Sequence, residues 1–374
     1  MASTSSLSAQ ARATLRRQCN RTVSGHPAPR PKSELLAIAD WMSAHDYDID
    51  NYGTGKLISD FEAKIATLLG KPAAVFMPSG TMATLIALRI WADRSHNADF
   101  GMHRTAHLEL HEQLAYKNLH GLRGHFLGKP DDPILANDFK RLDKPLSSIV
   151  IELPMREIGG VLPPWAELQQ LRDVASGRST RLHMDGARLW EALSFYPDKS
   201  YADVAALFDS VYVSFYKGIG GIAGAMLLGD AAFITEARVW LSRYGGTLHQ
   251  QYPTVASAAM RFDTRLARMP AYFQRVLAFA KAIDRLPGVT VTPAVPQTNI
   301  MHLRFPVPAL KWEAARDHMA AGDRIWLGAA RTIADKSVTE VEIYVGEGLM
   351  EMSDDIVIAA YEKLLRKIDV RLGA

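Results

Sequence analysis

Five short apolar runs, spaced through the first two thirds of the chain, restrict its architecture most. They are AAVFMP (73–78), SSIVIELP (147–154), RLHMDGA (181–187), DSVYVSFY (209–216) and AGAMLLG (223–229). Several run through a turn of small residues into a segment of helical periodicity, as in SGTMATLIALRIWA (79–92) and WAELQQLRDVA (165–175). Strands that are apolar on both faces are covered on both faces, and parallel neighbours need long crossovers. The alternation therefore predicts an α/β fold, a mostly parallel sheet wound with helices. Upstream, SELLAIADWMSAHD reads as a helix with a Ser at its start, and ISDFEAKIATLLGK (58–71) has apolar residues at helical spacing. After about residue 255 the texture changes. AYFQRVLAFAKAIDRLPGVTVTP (271–293), QTNIMHLRFP, TEVEIYVG and DDIVIAAYEKLLRKI predict a smaller α+β unit. The expected division is an arm with a first helix (1–45), a large domain (46–260) and a small domain (261–374).

Composition excludes several classes. With 374 residues and 48% hydrophobic side chains the chain can bury a sizeable core. A formal charge of +3, without basic aromatic motifs, does not point to nucleic acid. One cysteine, Cys19, cannot form an intrachain disulfide, which fits a reducing compartment. No apolar run reaches the roughly 18 to 20 residues that cross a bilayer. The expectation is a cytoplasmic protein with no membrane partner. One feature pulls the other way: there is no acidic residue before Glu34, which suits an organelle transit peptide or a partly disordered arm that docks on a neighbouring subunit.

Three anchors carry chemistry. Lys217 follows an apolar strand and precedes Gly-Ile-Gly-Gly, where a cofactor can approach the backbone and a desolvated amine can form a Schiff base. Asp185 lies 32 residues earlier at another strand end, and a buried carboxylate needs a cation, either a protonated pyridine nitrogen or Arg188. Ser79, Gly80 and Thr81 stand at a strand-to-helix turn, where free N–H groups and the helix dipole favour a phosphate, although Ser and Thr are also ordinary caps. In this order the three are more specific than any one alone.

The chain resembles the threonine aldolase branch of the fold-type-I pyridoxal phosphate enzymes, grouped with the β-eliminating lyases. The resemblance rests on residues 51–83, AHLELHE (106–112), HMDGARLWEAL (183–193), SFYKGIGGIAG (214–224), YGGTLHQ (244–250) and QTNI (297–300). It implies an aspartate aminotransferase-like fold with a seven-stranded large domain, and a homodimer or homotetramer whose active sites are shared between subunits. It implies pyridoxal 5'-phosphate as cofactor, with Ser79, Gly80 and Thr81 at its phosphate, Asp185 at its ring nitrogen and Lys217 at its aldehyde carbon. His107 would stack on the ring, with Glu112 at the family's five-residue offset, and these two or a water they hold would supply the general base. Arg188 would clamp the carboxylate of a small amino-acid substrate. The implied reaction is retro-aldol cleavage of an L-β-hydroxy-α-amino acid to glycine and an aldehyde.

The resemblance weakens at the substrate end. Where relatives carry a second carboxylate-binding arginine, this chain has TEVEIYVGEG with Glu342 near that place, and Arg324 or Arg331 is the candidate substitute. ELPMREIGG (152–160) replaces a polar pair and offers Arg156 to the substrate. Alternatives are β-elimination on the same cofactor, a non-catalytic protein that binds it, and a metal held by His103, His107 and Glu112. The last is disfavoured, since nothing else in the chain asks for a metal.

Overall fold

The computed structural model describes residues 7–27 and 29–368. The first six residues, which contribute to the targeting alternative, lie outside them. The chain divides into two compact units: residues 7–27, 158–160 and 269–368 form one, and Pro29–Glu157 with Val161–Arg268 form the other.

The larger unit is built on seven strands: β1 (Ala73–Met77), β2 (Asp99–His103), β3 (Arg123–Leu127), β4 (Ser148–Glu152), β5 (Arg181–Gly186), β6 (Ser210–Ser214) and β7 (Ala225–Gly229). Their order across the sheet is β1-β7-β6-β5-β4-β2-β3. Five neighbours run parallel from β3 to β6, and β7 is antiparallel to both β6 and β1. Four of the five apolar runs are central in this sheet, and β4 to β7 are buried along almost their whole length, as parallel strands covered on both faces require. The helix Gly80–Ser95 crosses one face and buries Ile86, Ile90 and Trp91. At the far side of its packing, the Trp91 indole N–H donates to Ser210 Oγ over 2.8 Å, and the buried His183 reaches the same hydroxyl at 2.8 Å.

Register decides what meets at the carboxyl ends of these strands. Glu152 on β4 lies beside Asp185 on β5, which lies beside Tyr212 on β6. Paired residues in parallel neighbours share a face, so three ionisable side chains form one row.

The smaller unit carries a four-stranded antiparallel sheet of β8 (Thr290–Thr292), β9 (Ile300–Phe305), β10 (Ala330–Arg331) and β11 (Thr339–Tyr344), in the order β10-β11-β9-β8. Its helices are Ala309–Asp323 and Asp354–Lys367. The N-terminal arm corrects an expectation: Ala9–Gln18 is a helix, and Arg12 pairs with Glu313 at 3.3 Å and Asp317 at 3.1 Å of its own chain. A cluster of three charges within one chain holds it. The first helix expected with that arm, Pro31–Ala44, belongs to the larger unit and begins at a proline whose fixed φ suits the first helical position. The expected boundary at 260/261 falls inside an unbroken 32-residue helix, Tyr252–Ile283.

Candidate active site

Gly80, Thr81, His107, Glu112, Arg156, Asp185, Arg188 and Lys217 line one cavity at the carboxyl ends of β4, β5 and β6. Residues separated by more than 130 positions are thus brought together by the crossover topology. Two of the expected residues are not among those lining the cavity. Ser79 does not line the cavity: it is the N-cap of Gly80–Ser95, where its hydroxyl accepts the Met82 N–H at 3.3 Å. Arg331 is a residue of β10 in the smaller unit, where it stands 3.7 Å from Glu340 and 3.7 Å from Glu342 and is hydrogen-bonded to the buried His302.

Asp185 ends β5 and is almost wholly buried; Oδ1 accepts the Ala187 N–H at 3.1 Å. Burial pushes its carboxyl up to about 6, against the opposing pull of His107 and Lys217. Glu152, its register neighbour, is raised well above the ordinary range by burial first and by the Asp185 charge second. Its Oε1 accepts the His107 backbone N–H at 2.5 Å, which fixes the start of the short helix His107–Leu110.

The His107 ring is held from the other side. Its Nδ1 lies 2.8 Å from Oε1 of Glu112, a buried carboxylate whose Oε2 has no hydrogen-bond partner. A carboxylate at Nδ1 places the proton there, leaving Nε2 as the base. His103, considered as a metal ligand with His107, is instead buried with Nδ1 at 2.7 Å from Thr105 Oγ1 and Nε2 at 2.5 Å from the Lys129 carbonyl. Among the described residues no group of three or more His, Cys, Asp or Glu is placed to hold a metal ion.

Lys217 lies three residues past β6, with Nζ 4.9 Å from the centroid of the Tyr216 ring. The strand end below it is pinned by the Trp190 indole N–H, which donates to the Ser214 carbonyl at 2.8 Å. At Gly80 the approach of another chain segment is so close that a Cβ would lie 1.8 Å from the Tyr212 hydroxyl oxygen, so only glycine fits. Glu152, Tyr212 and Tyr216 also line the cavity and were not singled out from the sequence. The period-2 alternation that puts Asp185 on the inner face would have placed Glu152 and Tyr212 beside it, had the register been known.

These residues fit a pyridoxal phosphate. A helix N-terminus with the Thr81 hydroxyl suits a phosphate, the buried Asp185 lacks a full countercharge that a protonated ring nitrogen would supply, and Lys217 can reach an aldehyde in the same cavity. The Glu112-held imidazole offers a flat face and a basic edge.

A mostly parallel seven-stranded sheet, with a lysine beyond one strand and a buried aspartate at the end of its neighbour, defines a fold-type-I pyridoxal phosphate enzyme. The family model described as β-eliminating lyase matches residues 36–306, and the chain belongs to that family, among its threonine aldolase-like lyases. The chain is 39% identical to a Listeria monocytogenes protein assigned as an L-allo-threonine aldolase, with a TM-score of 0.88 over 95% of this chain and 98% of the other. It is 38% identical to an Exiguobacterium protein assigned as an aromatic amino acid β-eliminating lyase/threonine aldolase, with a TM-score of 0.88 over 95% and 99%. It is 26% identical to the low specificity L-threonine aldolase of Escherichia coli K12, over 62% of this chain and 71% of the other.

Proposed function

We propose that the chain binds pyridoxal 5'-phosphate and cleaves L-β-hydroxy-α-amino acids of the threonine or allo-threonine type to glycine and an aldehyde. The observation that carries the reading is the placement of Lys217, Asp185 and the Glu112-held His107 in one cavity. When bound, the cofactor withdraws electrons from the bond that breaks. Thr81 and the N-terminus of Gly80–Ser95 would hold its phosphate, Asp185 its ring nitrogen and Lys217 its aldehyde carbon. Arg188 would bind the substrate carboxylate through its planar guanidinium, and Arg156 offers a second cation in the same cavity. His107 Nε2, basic because Glu112 keeps the proton on Nδ1, would take the proton of the β-hydroxyl as the Cα–Cβ bond breaks.

The test has two parts. Purified protein should absorb in the visible, and Lys217→Ala should not; wild-type protein that cannot take up the cofactor removes the reading. Incubation with L-allo-threonine should release glycine and acetaldehyde, whereas pyruvate and ammonia from a hydroxy or thiol amino acid would establish β-elimination instead.

A further inference from the structure

Glu191 is a buried carboxylate that the reaction above leaves unused. It closes the turn Leu189–Glu191 after β5, and its side chain has no solvent exposure. Oε1 lies 3.4 Å from Nη1 of Arg188, while Oε2 has no hydrogen-bond partner. On its other side the carboxylate presses on the lysine turn: a Cβ added to Gly218 would lie 2.4 Å from Oε1. The carboxylate is therefore wedged between the guanidinium assigned to the substrate and the backbone that carries Lys217. Three titratable groups act on it: Arg188 from its own turn, Lys217 from the turn after β6, and Tyr201 from the helix Tyr201–Ala206. Burial pushes its carboxyl up to about 7, and the two cations pull the other way.

A carboxylate in such a place is unfavourable unless it is paired, and an apolar or amide side chain of similar size would fill the same space without that penalty. What a carboxylate adds is a direction. Arg188 is only 12% exposed in its side chain, and a guanidinium is a rigid plane, so anchoring Nη1 sets where the remaining donors point.

We propose that Glu191 is a positioning residue that aims Arg188 at the carboxylate of the amino-acid substrate. The proposal rests on the reading of Arg188 as the carboxylate clamp. Glu191 itself touches neither substrate nor cofactor.

The experiment compares two ligands of the cofactor-loaded enzyme, glycine and methylamine, which differ by the carboxylate. Each is titrated through the change in visible absorbance of the bound cofactor, and the ratio of their dissociation constants measures what the carboxylate contributes. Glu191→Gln, which keeps an acceptor oxygen but loses the charge beside Arg188, is expected to lower the preference for glycine by about tenfold, the difference between a charge-assisted and a neutral hydrogen bond, with methylamine binding unchanged. Arg188→Gln should lower it further, and adding Glu191→Gln to that variant should change nothing more, since the acid acts through the arginine. The proposal is overturned if Glu191→Gln leaves the preference unchanged, or lowers it equally when Arg188 is already replaced. If Arg188→Gln alone keeps the full preference, the clamp reading fails and the role of Glu191 fails with it. Should Glu191→Gln not fold or load, Gly218→Ala perturbs the same contact from the opposite side, because its methyl group displaces Oε1. It is expected to give the same selective loss for glycine; an unchanged preference there also overturns the proposal.

Discussion

Asp185→Asn should stabilise the cofactor-free protein at alkaline pH while weakening its hold on the cofactor. In the fold the Asp185 carboxyl is raised to about 6, chiefly by burial, against an ordinary 3.8. A carboxyl raised in this way contributes fully below the unfolded value near pH 4, and that contribution is lost as pH rises through the folded value near 6. With about 1.4 kcal/mol for each pH unit of difference, the ionised side chain destabilises the cofactor-free fold by about 3 kcal/mol. Asparagine removes the charge and keeps a carbonyl oxygen for the Ala187 N–H. Urea unfolding of cofactor-free protein at about pH 8 should therefore show the variant more stable by about 2 to 3 kcal/mol, and the two proteins should converge below about pH 4. Added cofactor should reverse the order, because it stabilises whichever form binds it and, on the proposed assignment, the carboxylate would face a protonated ring nitrogen. Equal midpoints at both pH values, or a variant less stable at pH 8, would refute the desolvation argument.

Glu152 is raised well above the ordinary range by burial and by the Asp185 charge, which favours its neutral form. Glu152→Gln should then change stability by less than about 1 kcal/mol, while Glu152→Ala, which removes the acceptor of the His107 N–H, should lose about 1 to 3 kcal/mol in the same urea measurement. Gly80→Ala puts a methyl group 1.8 Å from the Tyr212 hydroxyl oxygen and should lose both the visible absorbance and about 1 to 3 kcal/mol of stability, read by absorbance and thermal unfolding. The larger unit exposes Tyr52, Ile222 and Leu248, so sedimentation should give a dimer or tetramer; a single species at 41.3 kDa would remove the expectation of a shared site.

The legible part of the fold follows from burial. Strands covered on both faces must be apolar throughout, and β1 and β4 to β7 stood out for that reason. β2 and β3 did not, although they belong to the same sheet. β2 reads Asp-Phe-Gly-Met-His, and the side chains of Leu127 and Leu146 fill the space a Cβ at Gly101 would take, at 2.7 and 3.0 Å. Its Asp99 looks like a loop residue in sequence, yet it is buried and held by Arg123, His125 and Lys144 at 2.7 to 2.9 Å. β3 lies at the sheet edge and keeps only half of its surface covered, so it lacks a continuous apolar run. The N-terminal helix was hidden for a different reason: its stripe is short and polar, and ion pairs with a helix some 300 residues away hold it.

At the site, the residues that could be named from sequence are those whose role is tied to a local turn: Lys217 before glycines, Asp185 at a strand end, Gly80 and Thr81 at a helix start. Glu152 and Glu191 have no such mark, because a glutamate reads as a surface residue until burial is known. Yet they share the physics of Asp185. Asp185 and Glu191 are buried and Glu152 is largely so, and desolvation raises all three carboxyls. The Asp185 charge raises Glu152 further, while His107 and Lys217 pull Asp185 the other way and Arg188 and Lys217 do the same for Glu191. Buried acids gain most from a cation placed beside them, and an anion gains only where it is directed to the arginines. On the proposed assignments, positive charge would be drawn to the strand ends, and the substrate carboxylate to the guanidinium that Glu191 would aim.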